Sequence, residues 1–140
     1  MWSRSYSVTV NDIKPEQIWA IWSDVNNRHL WDTDTEWAKI DGPFQVGSKI
    51  TFRPMGGPIV HMRISECIVN RVFTDCCQFF GATMYGVHEM EETPEGLRLT
   101  TTMKVTGPLS FLWRKLVVEK VVAELPEQTD ALIKLALGSA

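Results

Sequence analysis

Residues 15–37 read PEQIWAIWSDVNNRHLWDTDTEW and follow directly on a short alternating strand. Pro15 stands just inside a helix start, where its missing N–H costs nothing and its fixed φ suits the first turn. Asp12 is the expected cap, and Glu16 puts negative charge at the positive end of the helix dipole. Ile18, Trp22 and Val25 recur at helical spacing with Ile21 beside them, so a helix over about 15–24 carries one buried stripe. The DVNN run then stops it with turn-forming side chains. Four of the six tryptophans, Trp19, Trp22, Trp31 and Trp37, fall in this stretch. So much aromatic area, where a helix hands over to a sheet, marks the wall of a core or a cavity.

Upstream, residues 3–11 alternate, with Tyr6, Val8 and Val10 on one face and Ser5, Ser7 and Thr9 on the other, the pattern of a half-buried strand. Downstream comes a second helical turn near 26–31, and then strand patterns broken by turn residues. EWAKID ends at Gly42-Pro43, SKITFRP at Met55-Gly56-Gly57-Pro58, and IVHMRISECIV at Asn70-Arg71. VFTDCCQFF ends at Gly81, TMYGVHEMEE at Thr93-Pro94-Glu95-Gly96, and LRLTTTMKV at Gly107-Pro108. Connections this short favour antiparallel hairpins in a meander. From Leu109 to about Ala136 the pattern is helical, with Pro126 expected to kink or break it. The order is strand, two helices, six strands, long helix. This is an α+β chain in which a curved seven-stranded antiparallel sheet closes around the terminal helix.

At 140 residues the chain is expected to form one domain, residues 1–140, with a sizeable core. Its 44% hydrophobic and 22% charged composition is that of a globular protein. A net charge of -3 without a basic run argues against nucleic acid as a partner. No apolar stretch reaches the length of a membrane span, and MWSRSYSVTV lacks a signal-peptide core. Three cysteines make no disulfide framework, so reduced thiols and a cytoplasmic location are expected.

PEQIWAIWSDVNN with its following Trp31, the DGPF.VG, GGP and GP punctuation, and a terminal helix containing LP together resemble the START-related, birch-pollen-allergen-like (SRPBCC) superfamily. Within it the chain is similar to bacterial proteins of the polyketide cyclase/dehydrase type. The resemblance covers about residues 3–136. It implies a helix-grip fold with a space between sheet and terminal helix, but it spans lipid carriers, receptors and cyclases and so does not supply a function. It also implies that Trp31, closing the second helix, packs at the cavity mouth.

Strand parity selects the side chains that enter that space. Leu97, Leu99, Thr101, Met103 and Val105 share one face, as do Met84, Gly86, His88 and Met90. Val60, Met62, Ile64 and Ile68 share another, which leaves Glu66 either on a bulge or buried. Ile50 and Phe52 complete the wall, while the strand around 72–80 does not sort, because Phe73 and Phe79 compete with Phe80 for the inside. From the terminal helix, Phe111, Val118, Val121, Val122 and Leu125 share the face assigned to the cavity. Leu109, Leu112, Trp113 and Leu116 cluster nearly opposite, as an irregular helix start or a contact surface would require. The expected ligand-binding set is Trp22, Trp31, Phe52, Met62, Ile64, Met84, His88, Met90, Leu99, Thr101, Met103, Phe111, Val118 and Val122. Its methionines suit ligands of varied shape as well as plain core filling.

No catalytic residue is assigned; His88 is the one candidate, as a general base for ring closure. The favoured alternative is a neutral imidazole bonded to a strand hydroxyl such as Thr101, because no carboxylate at a recognisable spacing orients the ring. Cys67, Cys76 and Cys77 have no metal-binding spacing, and adjacent Cys76 and Cys77 point to opposite faces, so they read as small core residues. Asp32, Asp34 and Glu36 read as a solvated acidic turn, since a calcium loop would need a glycine and a terminal bidentate glutamate. Neither cofactor nor metal is expected. The expected partner is a small hydrophobic or aromatic molecule, with a homodimer possible. The rival readings are a polyketide cyclase/dehydrase-like enzyme and a protein-interaction or stress-accessory domain.

Overall fold

The computed structural model describes residues 1–138. Seven strands, β1 (Trp2–Val10), β2 (Thr35–Asp41), β3 (Lys49–Pro54), β4 (Val60–Ile68), β5 (Val72–Phe79), β6 (Ala82–Thr93) and β7 (Gly96–Thr106), form one antiparallel sheet in the order β1-β7-β6-β5-β4-β3-β2. Helix α1 (Pro15–Ser23) and a 3₁₀ segment (Val25–Leu30) connect β1, on one edge, to β2, on the other. The terminal helix is α2 (Ser110–Trp113), a π turn (Arg114–Val118) and α3 (Glu119–Gly138). This is the helix-grip arrangement expected from the order of elements.

Local chemistry explains the departures from expectation. The cap of α1 is Lys14 rather than Asp12, which sits two residues earlier at φ 66°. There the Gln17 side-chain oxygen accepts from the Lys14 N–H at 2.8 Å, and the Gln17 amide donates to the Ala136 carbonyl at 3.1 Å, joining α1 to α3. The β4–β5 pairing slips between Ile64 and Glu66, which is the bulge alternative left open by strand parity. Beyond that bulge the faces exchange, so Glu66 is exposed and Ile68, expected inside, is 51% exposed. Pro126 does not end the helix: α3 runs through it, with the proline on the exposed side.

The terminal helix owes its two apolar stripes to the π turn. A wide turn accommodates one extra residue, so the inward ridge shifts by one position across it. The ridge passes from Trp113 through Val118 to Val121, Leu125, Gln128 and Leu132, all buried or half-buried. Trp113 anchors the start, stacking on Phe79 at 4.4 Å and donating its indole N–H to the Phe80 carbonyl at 2.7 Å. Phe111, expected to face the cavity, is instead 63% exposed, and Phe80, Leu112 and Leu116 are exposed too.

The core divides in two. One cluster, with Ile50, Met62, Ile64, Met84, Met103, Val105, Val118 and Leu125, fills the space under α3. The other gathers Ile18, Trp22, Trp31, Phe73, Met90, Leu97, Leu99 and Leu132 around α1. In β5, Phe73 is fully buried, Phe79 is half-buried and Phe80 stands in solvent, which settles the strand that parity left unsorted. We expect Phe73→Ala to lower the unfolding free energy by about 3–5 kcal/mol, and Phe80→Ala by less than about 0.5 kcal/mol. Urea unfolding checks both; similar midpoint shifts would show the inward face of β5 to be wrongly placed.

Candidate functional site

The parity that buries Phe73 also carries Asp75 and Cys77 inside, so a carboxylate lies buried in the middle of the sheet. Opposite it in register on β6 is Gly86. A Cβ at position 86 would come within 2.7 Å of Asp75 Oδ1 and 3.5 Å of His88 Nε2. The missing side chain thus opens the niche in which the carboxylate and the imidazole meet. His88 Nε2 lies 3.5 Å from Asp75 Oδ2, at the outer edge of hydrogen-bonding distance. The His88 ring stacks on Phe73 at 4.4 Å and 10°, with Trp22 and Trp31 presenting T-shaped contacts at 5.9 and 6.1 Å. His88 and Thr101 are cross-strand neighbours, as expected, but the imidazole turns toward Asp75. The orienting carboxylate that sequence spacing did not show is therefore present.

Arg28 completes the cluster from the 3₁₀ segment. Its Nε is 3.0 Å from Asp32 Oδ2, and a terminal guanidinium nitrogen is 3.4 Å from Asp75 Oδ2. The turn that brings Asp32 beside it is closed by the Asp32 N–H donating to the Arg28 carbonyl at 2.8 Å. Asp32, expected in a solvated acidic turn, is buried at 7% exposure because this partner accompanies it inside. Burial works against the Arg28 charge, yet the carboxylates of Asp32 and Asp75 outweigh it and hold the guanidinium above its ordinary value. Burial likewise favours the protonated form of Asp75. The contact with His88 and the charge of Arg28 outweigh it, so its carboxyl lies below the ordinary 3.8.

These groups form one wall of a cavity of about 70 Å³ beneath α3. Phe52, Met62, Met84 and Met103 supply apolar and thioether surface, and Val121, Leu125 and Gln128 cover it from α3. Gln128 is buried, and its side-chain amide makes no hydrogen bond among the described residues. The indole nitrogens of Trp22 and Trp31 are buried without a partner among the described residues.

The residues expected to share one cavity are thus divided. Phe52, Met62, Met84, His88 and Met103 line it. Ile64 and Val118 are buried in the core under α3, and half-buried Val122 packs against them. Trp22, Trp31, Met90 and Leu99 pack in the core around α1; Trp31, expected at a cavity mouth, is 3% exposed. Thr101 is half-buried, and Phe111 lies outside. Arg28, Asp32, Asp75 and Gln128 were not foreseen, although the spacing of Phe73, Asp75 and Cys77 was a readable signal for one of them. Cys67, Cys76 and Cys77 are free thiols. Burial first, and then the nearby Asp75, pushes the Cys77 thiol up to about 11, so it has little thiolate character.

No family model matches the chain, and no curated protein matches it in sequence. Solved structures share its fold at low identity. Mesorhizobium loti MLL2253 is 14% identical, with a TM-score of 0.72 and 99% of each chain covered. Nitrosomonas europaea NE0264 is 14% identical, with a TM-score of 0.76, covering 98% of this chain and 95% of the other. The di-domain ARO/CYC StfQ of the steffimycin biosynthetic pathway is 11% identical, with a TM-score of 0.68, over 96% of this chain and 49% of StfQ. At these identities the likeness is one of fold, and no helix among the described residues is long and apolar enough to cross a membrane.

Because Asp75 titrates lower in the folded chain than in the unfolded one, its ionisation stabilises the fold above its ordinary value. That contribution declines as pH falls below 3.8 toward the lower folded value, since the unfolded chain takes up the proton first. We expect Asp75→Asn to be less stable than wild type at neutral pH and to lose less stability in that acid window. Unfolding curves across pH 2–7 check the sign; a wild-type acid slope unchanged by the substitution would place the effect elsewhere.

Proposed function

We propose that the chain binds a small, mainly apolar or aromatic molecule between the sheet and α3, with the ligand's polar group at the Arg28–Asp75–His88 cluster. The single observation that carries this reading is that the buried Arg28–Asp75–His88 cluster and Gln128, whose amide makes no hydrogen bond among the described residues, line one cavity. A buried ion pair seldom exceeds apolar packing as a source of stability. Groups of this kind are better explained by what they hold. The shared fold with the ARO/CYC StfQ and the sequence resemblance to polyketide cyclase/dehydrase-type proteins support the same class. Three free thiols fit a reducing, cytoplasmic setting.

At about 70 Å³ the cavity holds a head group, well short of the roughly 300–1,000 Å³ of a drug-sized site. The ligand body therefore displaces part of the cover. The covering residues Val121 and Leu125 lie between the π turn and Pro126, whose missing N–H leaves the Val122 carbonyl without its helical donor. Movement of α3 there disrupts fewer backbone bonds than in a regular helix. Native mass spectrometry of freshly purified protein should show a co-purified small molecule, lost from a Gln128→Leu, Met103→Trp variant that fills the cavity. Identical bare-protein masses before and after denaturation would count against the reading.

The proximity of Asp75 and His88 favours a second reading, ring closure or dehydration of a polyketide-like chain with His88 as general base. Gln cannot accept a proton near neutral pH, so His88→Gln separates chemistry from recognition. In a pure binder the substitution changes affinity by about 0.5–1.5 kcal/mol, whereas in an enzyme it abolishes turnover with product affinity retained. We expect the binder's outcome; complete loss of a pH-dependent activity with the fold intact would establish the enzyme.

A further inference from the structure

Among the side chains lining the cavity, three carboxylates, Asp32, Asp34 and Asp75, face one guanidinium, Arg28. Among the described residues the only other titratable lining group is His88, so the carboxylates outnumber the cations whichever form its imidazole takes. Lys120 approaches Asp34 at 3.8 Å, but its side chain is 64% exposed and reaches the carboxylate from the solvent side. The remaining walls, Phe52, Met62, Met84 and Met103, present an aromatic face and polarisable sulfur, which suit an organic cation as well as a neutral molecule.

From this balance we infer that the polar group taken by the cavity is a cation, a protonated amine on a small apolar or aromatic body, and that carboxylates are rejected. The inference rests on the proposed ligand-binding role of this cavity and specifies its ligand class. Arg28 does not present a free anion-binding fork: its Nε is committed to Asp32 and a terminal nitrogen to Asp75. An incoming carboxylate would be left with the donors these contacts do not use and would lie beside Asp32 and Asp75, both of which repel it across a low-dielectric interior. An ammonium instead adds a counter-charge to Asp34 and Asp75 and offers N–H donors. The Gln128 amide oxygen, which accepts no hydrogen bond among the described residues, is a neutral acceptor for one of them.

A neighbouring group responds to the same field. Glu124, one turn along α3 from Lys120, has a buried Oε2 with no partner among the described residues. Its carboxyl is held above its ordinary value, first by burial and then by the negative charge of Asp34, against the opposing charge of Lys120 and with a smaller contribution from Asp32. An ammonium at the cavity would relieve that repulsion as well.

The test compares benzylamine, toluene and benzoate, which share one ring and differ in the charge of the attached group, by isothermal titration calorimetry and by NMR shifts of the Gln128 side-chain amide. We expect benzylamine to bind at least about tenfold tighter than benzoate and to shift the Gln128 amide, and Asp34→Asn to narrow the difference several-fold. Asp34 is partly exposed, so this variant removes a lining charge without opening the buried Arg28 cluster. Benzoate binding as tightly as benzylamine, or toluene binding tighter than both, overturns the inference while leaving the cavity a ligand site. Absence of benzylamine binding in protein that does carry a co-purified molecule also overturns it. If neither benzylamine nor any co-purified molecule is found, the inference and the ligand-binding reading fall together.

Discussion

The architecture around the cavity depends on one buried charge arrangement, the Arg28 guanidinium held between Asp32 and Asp75. Arg28 and Asp32 belong to the segment that crosses from α1 to β2, whereas Asp75 belongs to the middle of the sheet. The guanidinium is a buried polar tie between these two parts. Trp31 lies beside it, with the guanidinium carbon 5.3 Å from the ring centroid. Removing one member of such a cluster strands a buried charge and costs about 3–5 kcal/mol. An all-apolar replacement could be as stable, so the charges restrict where the segment docks more than they strengthen the fold.

The same arrangement accounts for the state of His88. Phe73 supports one face of the ring, Asp75 meets its Nε2, and Gly86 leaves room for both. A histidine so confined has a fixed orientation, which serves recognition and acid–base chemistry alike. Sheet geometry alone does not choose between them; what arrives beside the ring does.

Which features are legible in the amino-acid sequence follows from the rule that governs each residue. Hairpin punctuation and alternation are local, so the strands, their order and the inward faces of β6 and β7 can be read directly from the chain. The bulge at Ile64–Glu66 is signalled by the conflict that Glu66 creates, and its resolution removes Ile68 from the interior. The charged cluster is hidden for a different reason. Alternation with Phe73 and Cys77 hints at the inward side of Asp75, but the burial of Arg28, Asp32 and Asp75 together depends on partners up to 47 positions away, and no local pattern reports such a pairing. Asp32 therefore reads as part of a solvated turn, and His88 reads as unattended. Phe111 is misplaced by a uniform helical period carried through the π turn, where one residue must be added.

That added residue makes the π turn a buffer between chain length and what the cavity sees. Each residue in an α-helix advances about 100° around the axis. In an unbroken helix, losing one residue would therefore carry every later side chain one position around. Val122 and Pro126 would turn toward the positions of Val121 and Leu125, and Thr129 toward that of Gln128. Here a residue lost between Arg114 and Val118 is the one the wide turn already absorbs. The turn would close to the regular period, and Val121, Leu125 and Gln128 would stay over the cavity with Trp113 still anchored on Phe79. A lineage could thus shed a codon in the helix without changing the cover that a ligand meets.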